Sequence, residues 1–219
     1  MLTDSIASEN SHKITMRTAS RSRRIFASII AVALATLGCN QTLLVRPRYE
    51  SSGVGVHLNL GRGVPVRLVV LDNREEKLLL GTTDAYGDRI VLASPLDEVV
   101  EESLTVLLGQ AGFHVSDSAD VTYRVEITRS VCDSQWGGGE QATATILLKA
   151  EIVSSGEVLF GKLFSGTAKG GGSFGTSPGD RCDAPVSEAI GKVVDSVGSD
   201  NDLLNALLSA ADRNGGEAP

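Results

Sequence analysis

The sequence has few of the residue types on which metal sites and many active sites depend. Its 219 residues include three histidines, three cysteines and one tryptophan. No Cys-x-x-Cys or His-x-x-x-His spacing occurs, although zinc sites commonly use such spacings. The triple-glycine clusters at 137–139 and 170–172 lack the Lys-Ser/Thr of a phosphate-binding loop, and we interpret them as flexible hairpin or lid loops. We therefore predict no metal site, no cofactor and no enzymatic activity.

The apolar run near the N-terminus is also short. Arg21, Arg23 and Arg24 precede thirteen uncharged residues, Ile25–Leu37, and small residues surround the exit from this run. A run of this length is too short to cross a bilayer as a helix. A basic segment, a short apolar stretch and a small-residue exit together predict an export signal.

The end of this run resembles a lipidation signal. Residues 35–39 read Ala-Thr-Leu-Gly-Cys, which is similar to the lipobox of bacterial lipoproteins. The resemblance implies that the Cys39 thiol receives a diacylglyceryl group, that the chain is cut before Cys39, and that the new amine is acylated. It also favours the outer membrane, because Asn40 is not the aspartate associated with retention in the inner membrane. The alternative is a buried apolar helix with an ordinary cysteine.

The domain organisation follows from this cut. Residues 1–38 are the predicted signal peptide, with Met16 as an alternative start, because the charges of residues 1–15 suit a signal poorly. Residues 39–52 are predicted to be a lipidated cysteine and a tether, residues 53–211 one α+β periplasmic domain, and residues 212–219 a disordered tail.

The predicted mature chain is acidic. The leader holds five of the 20 Lys and Arg residues and two of the 27 Asp and Glu residues. Residues 39–219 therefore hold 15 basic and 25 acidic residues, a net charge of −10. An acidic domain repels nucleic acid. We therefore predict that the protein contacts the membrane through the lipid on Cys39 and that it does not bind nucleic acid.

The pattern of apolar residues predicts an α+β fold. Alternation in residues 54–60, 64–70, 121–127 and 144–152 indicates strands, and their polar positions indicate one wet face. Ser154-Ser155-Gly156 turns the chain directly into another strand, which implies antiparallel neighbours. Apolar stripes predict a helix from 96 to 111, with Ser94 as its cap, and a second helix after Pro185. We predict a single domain with an antiparallel sheet and two main helices packed on one face.

Two cysteines, one tryptophan and two glutamates remain as candidates for special roles. Cys132 and Cys182 fall in predicted loops of an exported chain, which predicts a disulfide, with two free thiols as the alternative. Trp136, beside three glycines, is a candidate contact for a partner, or it folds back over its own loop. Glu101 and Glu102 lie on the solvent face of the first helix, and solvation explains them better than acid–base chemistry.

The order of elements resembles the YajG family of bacterial lipoproteins. The resemblance depends on spaced core positions and covers most of residues 54–210. The matching positions are Val69–Arg74 with Leu80-Gly81, Val99–Leu104 with Gly112–Val115, Ala119–Val121, and Val194-Asp195 with Asp202–Leu204. The glycine-rich loops and the two later cysteines depart from the family pattern. The resemblance implies an α+β periplasmic domain on a lipid anchor and transfers no catalytic residue.

These features favour a lipid-anchored, non-catalytic protein of the cell envelope, with the outer membrane favoured. The domain would bind an envelope protein or serve as an accessory module. A membrane-anchored periplasmic hydrolase with an unrecognised site is the alternative. Polar residues that converge in a concave pocket would favour the hydrolase, whereas a smooth surface with one exposed apolar edge or groove would favour the binding protein.

Overall fold

The computed structural model describes residues 42–49, 60–82, 87–134, 141–171 and 177–215. The strands in these ranges are β1 (Thr42–Val45), β2 (Pro65–Asp72), β3 (Leu79–Thr82), β4 (Arg89–Leu92), β5 (His114–Val115), β6 (Val121–Ser134), β7 (Gln141–Ser154) and β8 (Glu157–Gly171). The helices are α1 (Leu96–Gln110), α2 (Pro178–Gly198) and α3 (Asn201–Gly215). This combination of sheets and helices confirms the predicted α+β class. Of the strand predicted at 54–60, residues 54–59 lie outside the described residues.

The main sheet has five strands in the order β5-β2-β6-β7-β8. β6, β7 and β8 are antiparallel neighbours, as the short turn at Ser155-Gly156 predicts. β2 is parallel to both β5 and β6, so the prediction of a purely antiparallel sheet is wrong. The physical reason is the long connection between β2 and β6, which contains α1 and lets the chain return in the same direction.

A second, smaller sheet contains part of the predicted tether. It has the order β1-β4-β3, and β1 pairs with β4 in parallel from Thr42↔Arg89 to Val45↔Leu92. Val45 is fully buried. The tether prediction is therefore wrong for residues 42–49, because the pairing of β1 fixes residues 42–45 to the domain, and hydrogen bonds to helix α2 hold Arg46, Arg48 and Tyr49.

Helix α1 buries the predicted apolar stripe. Leu96, Val100, Leu104, Leu107 and Leu108 are all buried, as a helical repeat of 3.6 residues requires. The predicted cap is wrong, because Pro95 occupies the N-cap position and no side chain caps the helix. The chain enters the helix from the extended conformation of this proline, whose fixed φ already suits that position.

Helix α2 begins seven residues before Pro185, although the sequence predicted a start after this proline. Ser177 is the N-cap, and its hydroxyl accepts the Asp180 N–H at 3.2 Å. Pro185 is thus inside the helix, where its ring packs against Gly170 of β8. Cys182 consequently lies in a helix and Cys132 in β6, and neither lies in a loop as predicted.

Helix α2 packs closely on the sheet because β8 carries glycines at the contact. A Cβ on Gly166 would collide with the Ala189 carbonyl oxygen, and a Cβ on Gly170 would lie 2.5 Å from Pro185 Cγ. Gly170 and Gly171 belong to β8, so the loop interpretation of this glycine cluster is wrong for them. Helix α3 continues to Gly215, so the predicted tail is wrong for residues 212–215.

The core lies between the sheets and the helices. α1 contacts β2 and α2, while α2 and α3 both contact β6, β7 and β8. Alternate residues of β7 (Ala144, Ile146, Leu148, Ala150 and Ile152) are fully buried. Among the described residues, no helix is long and apolar enough to cross a membrane.

Candidate functional site

A polar groove runs along one side of helix α2. Its walls are α2, the segment that follows β1, and β8, which is the last strand of the five-stranded sheet. The groove encloses about 1140 Å³. We call this surface the α2 groove, and its polar lining consists of Arg46, Arg48, Ser165, Thr167, Asp183, Ser187, Glu188, Lys192, Asp195, Ser196 and Ser199.

One wall of the groove is an extended backbone held by helix side chains. The Arg46 N–H donates to Asp183 Oδ1 at 2.9 Å, and the Arg48 N–H donates to Ser187 Oγ at 3.1 Å. Asp183 and Ser187 are four residues apart, so their side chains are neighbours on one face of α2. This face of the helix therefore already binds the polar groups of an extended chain.

The opposite wall is joined to the helix through Lys192. Its ammonium group donates to Glu188 Oε1 at 2.7 Å and to the Thr167 carbonyl oxygen of β8 at 3.2 Å. The groove thus presents charges of both signs together with hydroxyl groups. Its described lining residues include no histidine or cysteine that would form a nucleophile–base pair with the serines. The arrangement is suited to hydrogen bonding with a polar partner.

A second polar surface lies on the open face of the main sheet. Glu151 of β7 accepts hydrogen bonds from Arg124 Nε at 2.9 Å and from Lys149 Nζ at 2.6 Å. Glu126 extends this network, with 3.5 Å between its carboxylate and Arg124 Nε. Leu163 of the neighbouring strand is 71% exposed. The open face therefore combines a charged network with an exposed aliphatic side chain.

The pKa values of this network are shifted in the directions that stabilise its charges. Hydrogen bonds from Lys149 and then Arg124 lower the pKa of the Glu151 carboxyl below its ordinary value. The hydrogen bond to Glu151 in turn raises the pKa of Lys149. These pKa shifts follow from the attraction and hydrogen bonding between opposite charges. We therefore interpret the network as an ion cluster with a structural role.

Tyr123 carries a buried polar group between the helices. It is 1% exposed, and its hydroxyl has no hydrogen-bond partner among the described residues. Burial, and secondarily the negative charge of Asp200, raises its pKa well above the ordinary value. The adjoining void of about 10 Å³ is lined mostly by leucines of α1 and α3. This volume is close to the minimum that one water molecule requires.

The predicted special residues fall into two groups. Cys132 and Cys182 form the predicted disulfide. Glu101 and Glu102 are exposed on α1, as predicted. Cys39 and Trp136 lie outside the described residues, so lipidation and partner contact remain predictions for them. Among the described residues, no three His, Cys, Asp or Glu side chains are grouped so that they could hold a metal ion.

One serine has the spacing of a hydrolase motif. Residues 171–175 read Gly-Gly-Ser-Phe-Gly, which matches Gly-x-Ser-x-Gly around Ser173. A nucleophile elbow places this serine on a sharp turn that leads straight from a strand into a helix. Here β8 ends at Gly171 and α2 begins at Pro178, and β8 is antiparallel to its neighbour. Ser173 itself lies outside the described residues.

The sequence did not predict the residues of the α2 groove. The apolar stripe of α2 predicts which face of the helix is buried, and it carries no information about the polar face. A signal was present, because Asp183, Ser187, Gly191 and Asp195 are spaced by four residues along that face. Their partners, Arg46 and Arg48, are more than 130 residues away in sequence, so only the fold brings the two walls together.

Comparisons with known proteins support the fold. No family model matches the sequence, and no curated protein matches it. Among solved structures, a protein from Xanthomonas campestris described under the family model DUF330 is similar, with 17% identity and a TM-score of 0.50. The match covers 79% of this chain and 99% of that chain. It shows that the two proteins share the α+β fold.

Two further solved structures are more distant. A minor lipoprotein from Acinetobacter baumannii has 12% identity and a TM-score of 0.39, covering 68% of this chain and 92% of that chain. A protein from Helicobacter pylori is described as a homologue of a neuraminyllactose-binding hemagglutinin. It has 11% identity and a TM-score of 0.44, and the match covers 77% of this chain and 100% of that chain. None of these three carries the YajG name, so the YajG resemblance remains a prediction.

Proposed function

We propose that this protein is a lipid-anchored, non-catalytic binding module of the bacterial cell envelope, and that the α2 groove is its binding surface. The observation that carries the proposal is continuity along the chain. Cys39 lies three residues before Thr42, the first residue of β1, and β1 leads directly into the wall formed by Arg46 and Arg48. The predicted anchor and the groove therefore belong to one segment.

The chemistry of the groove supports a protein partner. Its charges of both signs lie beside hydroxyl groups and beside an extended backbone that α2 already binds. A protein surface presents the same mixture of charged side chains and backbone polar groups. A ligand of a single charge sign would meet repulsion from part of the lining. Trp136 is proposed as an additional contact for the partner.

The location is also proposed from the sequence. Asn40 after the predicted lipid attachment site favours the outer membrane, with the domain on its periplasmic face. A purely soluble protein would not require the thiol of Cys39. Replacement of Cys39 by serine should therefore abolish incorporation of a fatty-acid analogue in cells and leave an uncleaved precursor. Unchanged labelling of Cys39→Ser would disprove the anchor.

The binding role is tested separately by site-specific photocrosslinking in intact cells. A photoreactive residue at Glu188 or at Ser196 lies in the groove, whereas one at Glu102 lies on the exposed face of α1. We expect the same envelope protein to be captured from both groove positions and not from position 102. Capture from position 102 alone would exclude the groove as the binding surface.

A further inference from the structure

The first described segment runs along helix α2 in the same direction as the helix. Leu43 packs against Gly179 in the first turn of α2. The Tyr49 hydroxyl donates to Asp195 near the other end of the helix, at 2.9 Å. Sixteen residues of α-helix separate Gly179 from Asp195, which corresponds to about 24 Å. The chain therefore enters the domain at the N-terminal end of α2.

Other elements begin or end at this same end of the domain. The disulfide between Cys132 and Cys182 joins the end of β6 to the first turns of α2. Pro185 packs on Gly170 near the end of β8. The last residue of β8 pairs with the first residue of β7. We call this region the anchor end, defined by Thr42, Ser134, Gln141, Gly171 and Ser177.

The opposite end lies far away along the strands. We call it the distal end, defined by Val121, Ser154 and Glu157, where β6 begins and where β7 turns into β8. Thirteen residue steps of β7 separate Gln141 from Ser154, a length of about 44 Å. By contrast, the three residue steps from Cys39 to Thr42 can span at most about 11 Å. The predicted lipid is thus tied closely to one end of a long domain.

We infer that the bilayer surface contacts the anchor end and that the domain stands with its distal end directed away from the membrane. This inference rests on the proposed lipid on Cys39. The α2 groove would then extend outward from the membrane, because it follows α2 from Asp183 near the anchor end to Ser199 at the other end of the helix. A partner would approach the groove from the side, beside the membrane.

The single tryptophan of the chain provides a reporter for this orientation. Trp136 follows Ser134 by two residues, so at most about 7 Å of backbone separates it from the anchor end. The lipidated protein would be purified from membranes and reconstituted into phosphatidylcholine vesicles that contain nitroxide-labelled headgroup lipid. We expect most of the Trp136 fluorescence to be lost in these vesicles relative to unlabelled ones.

A matched variant moves the reporter to the distal end. In the double variant Trp136→Phe, Glu157→Trp, the tryptophan replaces an exposed residue next to the β7–β8 turn. We expect its fluorescence to be almost unchanged by the labelled lipid. Equal loss in both proteins would show a domain lying flat, and greater loss at position 157 would show the reverse orientation; either result overturns the inference.

The mass of the N-terminal peptide shows whether Cys39 is acylated, and so it tests the anchor independently of the orientation. If Cys39 is acylated but the quenching is equal at the two positions or greater at position 157, the orientation is overturned and the proposed function stands. A purified protein without an acyl group on Cys39 would remove the anchor, and the orientation inference with it.

Discussion

Cys132 in β6 and Cys182 in α2 form a disulfide that fastens the helix to the sheet, with their Cα atoms 6.2 Å apart. The two residues are separated by 50 positions, and both side chains are buried. Between them the chain forms all of β7 and β8, so the bond closes a loop that contains two of the five strands of the main sheet. It also secures the helix whose side chains build the groove.

Loss of this disulfide should destabilise the domain strongly. Because a crosslink of this span restricts the unfolded chain, the double variant Cys132→Ala, Cys182→Ala should lose roughly 4 kcal/mol of unfolding free energy. Chemical denaturation of both proteins measures the difference.

The wild-type domain should show no thiol that reacts with an alkylating reagent until it is reduced and unfolded. Two reactive thiols in protein from an oxidising compartment would contradict the bond.

The buried stripe of α1 should be sensitive to truncation, and its exposed acids should not. Leu104 is 1% exposed, so Leu104→Ala should cost about 2–5 kcal/mol through lost burial and a residual cavity. Glu101→Gln, on the exposed face, should change stability by less than about 0.5 kcal/mol. Denaturant melts of the two variants provide the comparison. A neutral Leu104→Ala together with a costly Glu101→Gln would mean that the helix faces the other way.

The close contact between β8 and α2 predicts opposite effects for two glycine substitutions. Gly166→Ala should destabilise by about 1–3 kcal/mol, because the new methyl group would overpack against the helix backbone at Ala189. Gly109→Ala should stabilise by about 0.5–1 kcal/mol, because this glycine is inside α1 with open space around it. Thermal or denaturant unfolding measures both. The interpretation fails if Gly166→Ala is tolerated as well as Gly109→Ala.

The ion cluster on the open sheet face should contribute stability that depends on pH. The pKa of Glu151 is lower in the folded protein than its ordinary value of 4.5, so the unfolded state binds a proton first as the pH falls. The stabilisation is therefore fully present above 4.5 and is lost as the pH falls through the folded pKa. Glu151→Gln should remove this dependence. If the unfolding free energies of the wild type and Glu151→Gln fall in parallel as the pH is lowered, Glu151 does not contribute to the pH dependence of stability.

The proposed absence of catalysis predicts that Ser173 is not a reactive nucleophile. A fluorophosphonate probe should leave the native protein unlabelled, because a nucleophile elbow leads straight from a strand into a helix, whereas here β8 ends at Gly171 and α2 begins only at Pro178. Ser173→Ala is the control for any background signal. Stoichiometric labelling that disappears in Ser173→Ala would establish the hydrolase alternative.

The parts of the fold that were predictable from sequence are those set by local periodicity. The stripe of α1 and the alternation of β6 and β7 are repeated over enough residues to be recognised, and Ser155-Gly156, which leads into β8, provides the positive φ angles of a tight turn. These signals depend on neighbours close in sequence. They are therefore independent of how the chain is folded elsewhere.

The parts that were missed depend on partners distant in sequence. Strand β1 has only four residues, and its pairing with β4 spans nearly fifty positions, so its sequence alone resembles a linker. The parallel pairing of β2 depends on the path of the crossover. The α2 groove exists only because Arg46 and Arg48 lie against Asp183 and Ser187. The pairings of β1 and of β2 leave no periodic trace, and the four-residue spacing along α2 does not identify its distant partners Arg46 and Arg48.

The contact between Lys192 and the Thr167 carbonyl oxygen has a consequence for crowding. Among the described strands, β8 ends the main sheet, and an edge strand of this kind is a template for pairing with another chain. Molecules held on one membrane by the proposed lipid on Cys39 would meet one another more often than molecules in solution. By occupying a backbone acceptor and placing a positive charge beside it, Lys192 would oppose edge-to-edge pairing between molecules that the proposed lipid holds on one membrane.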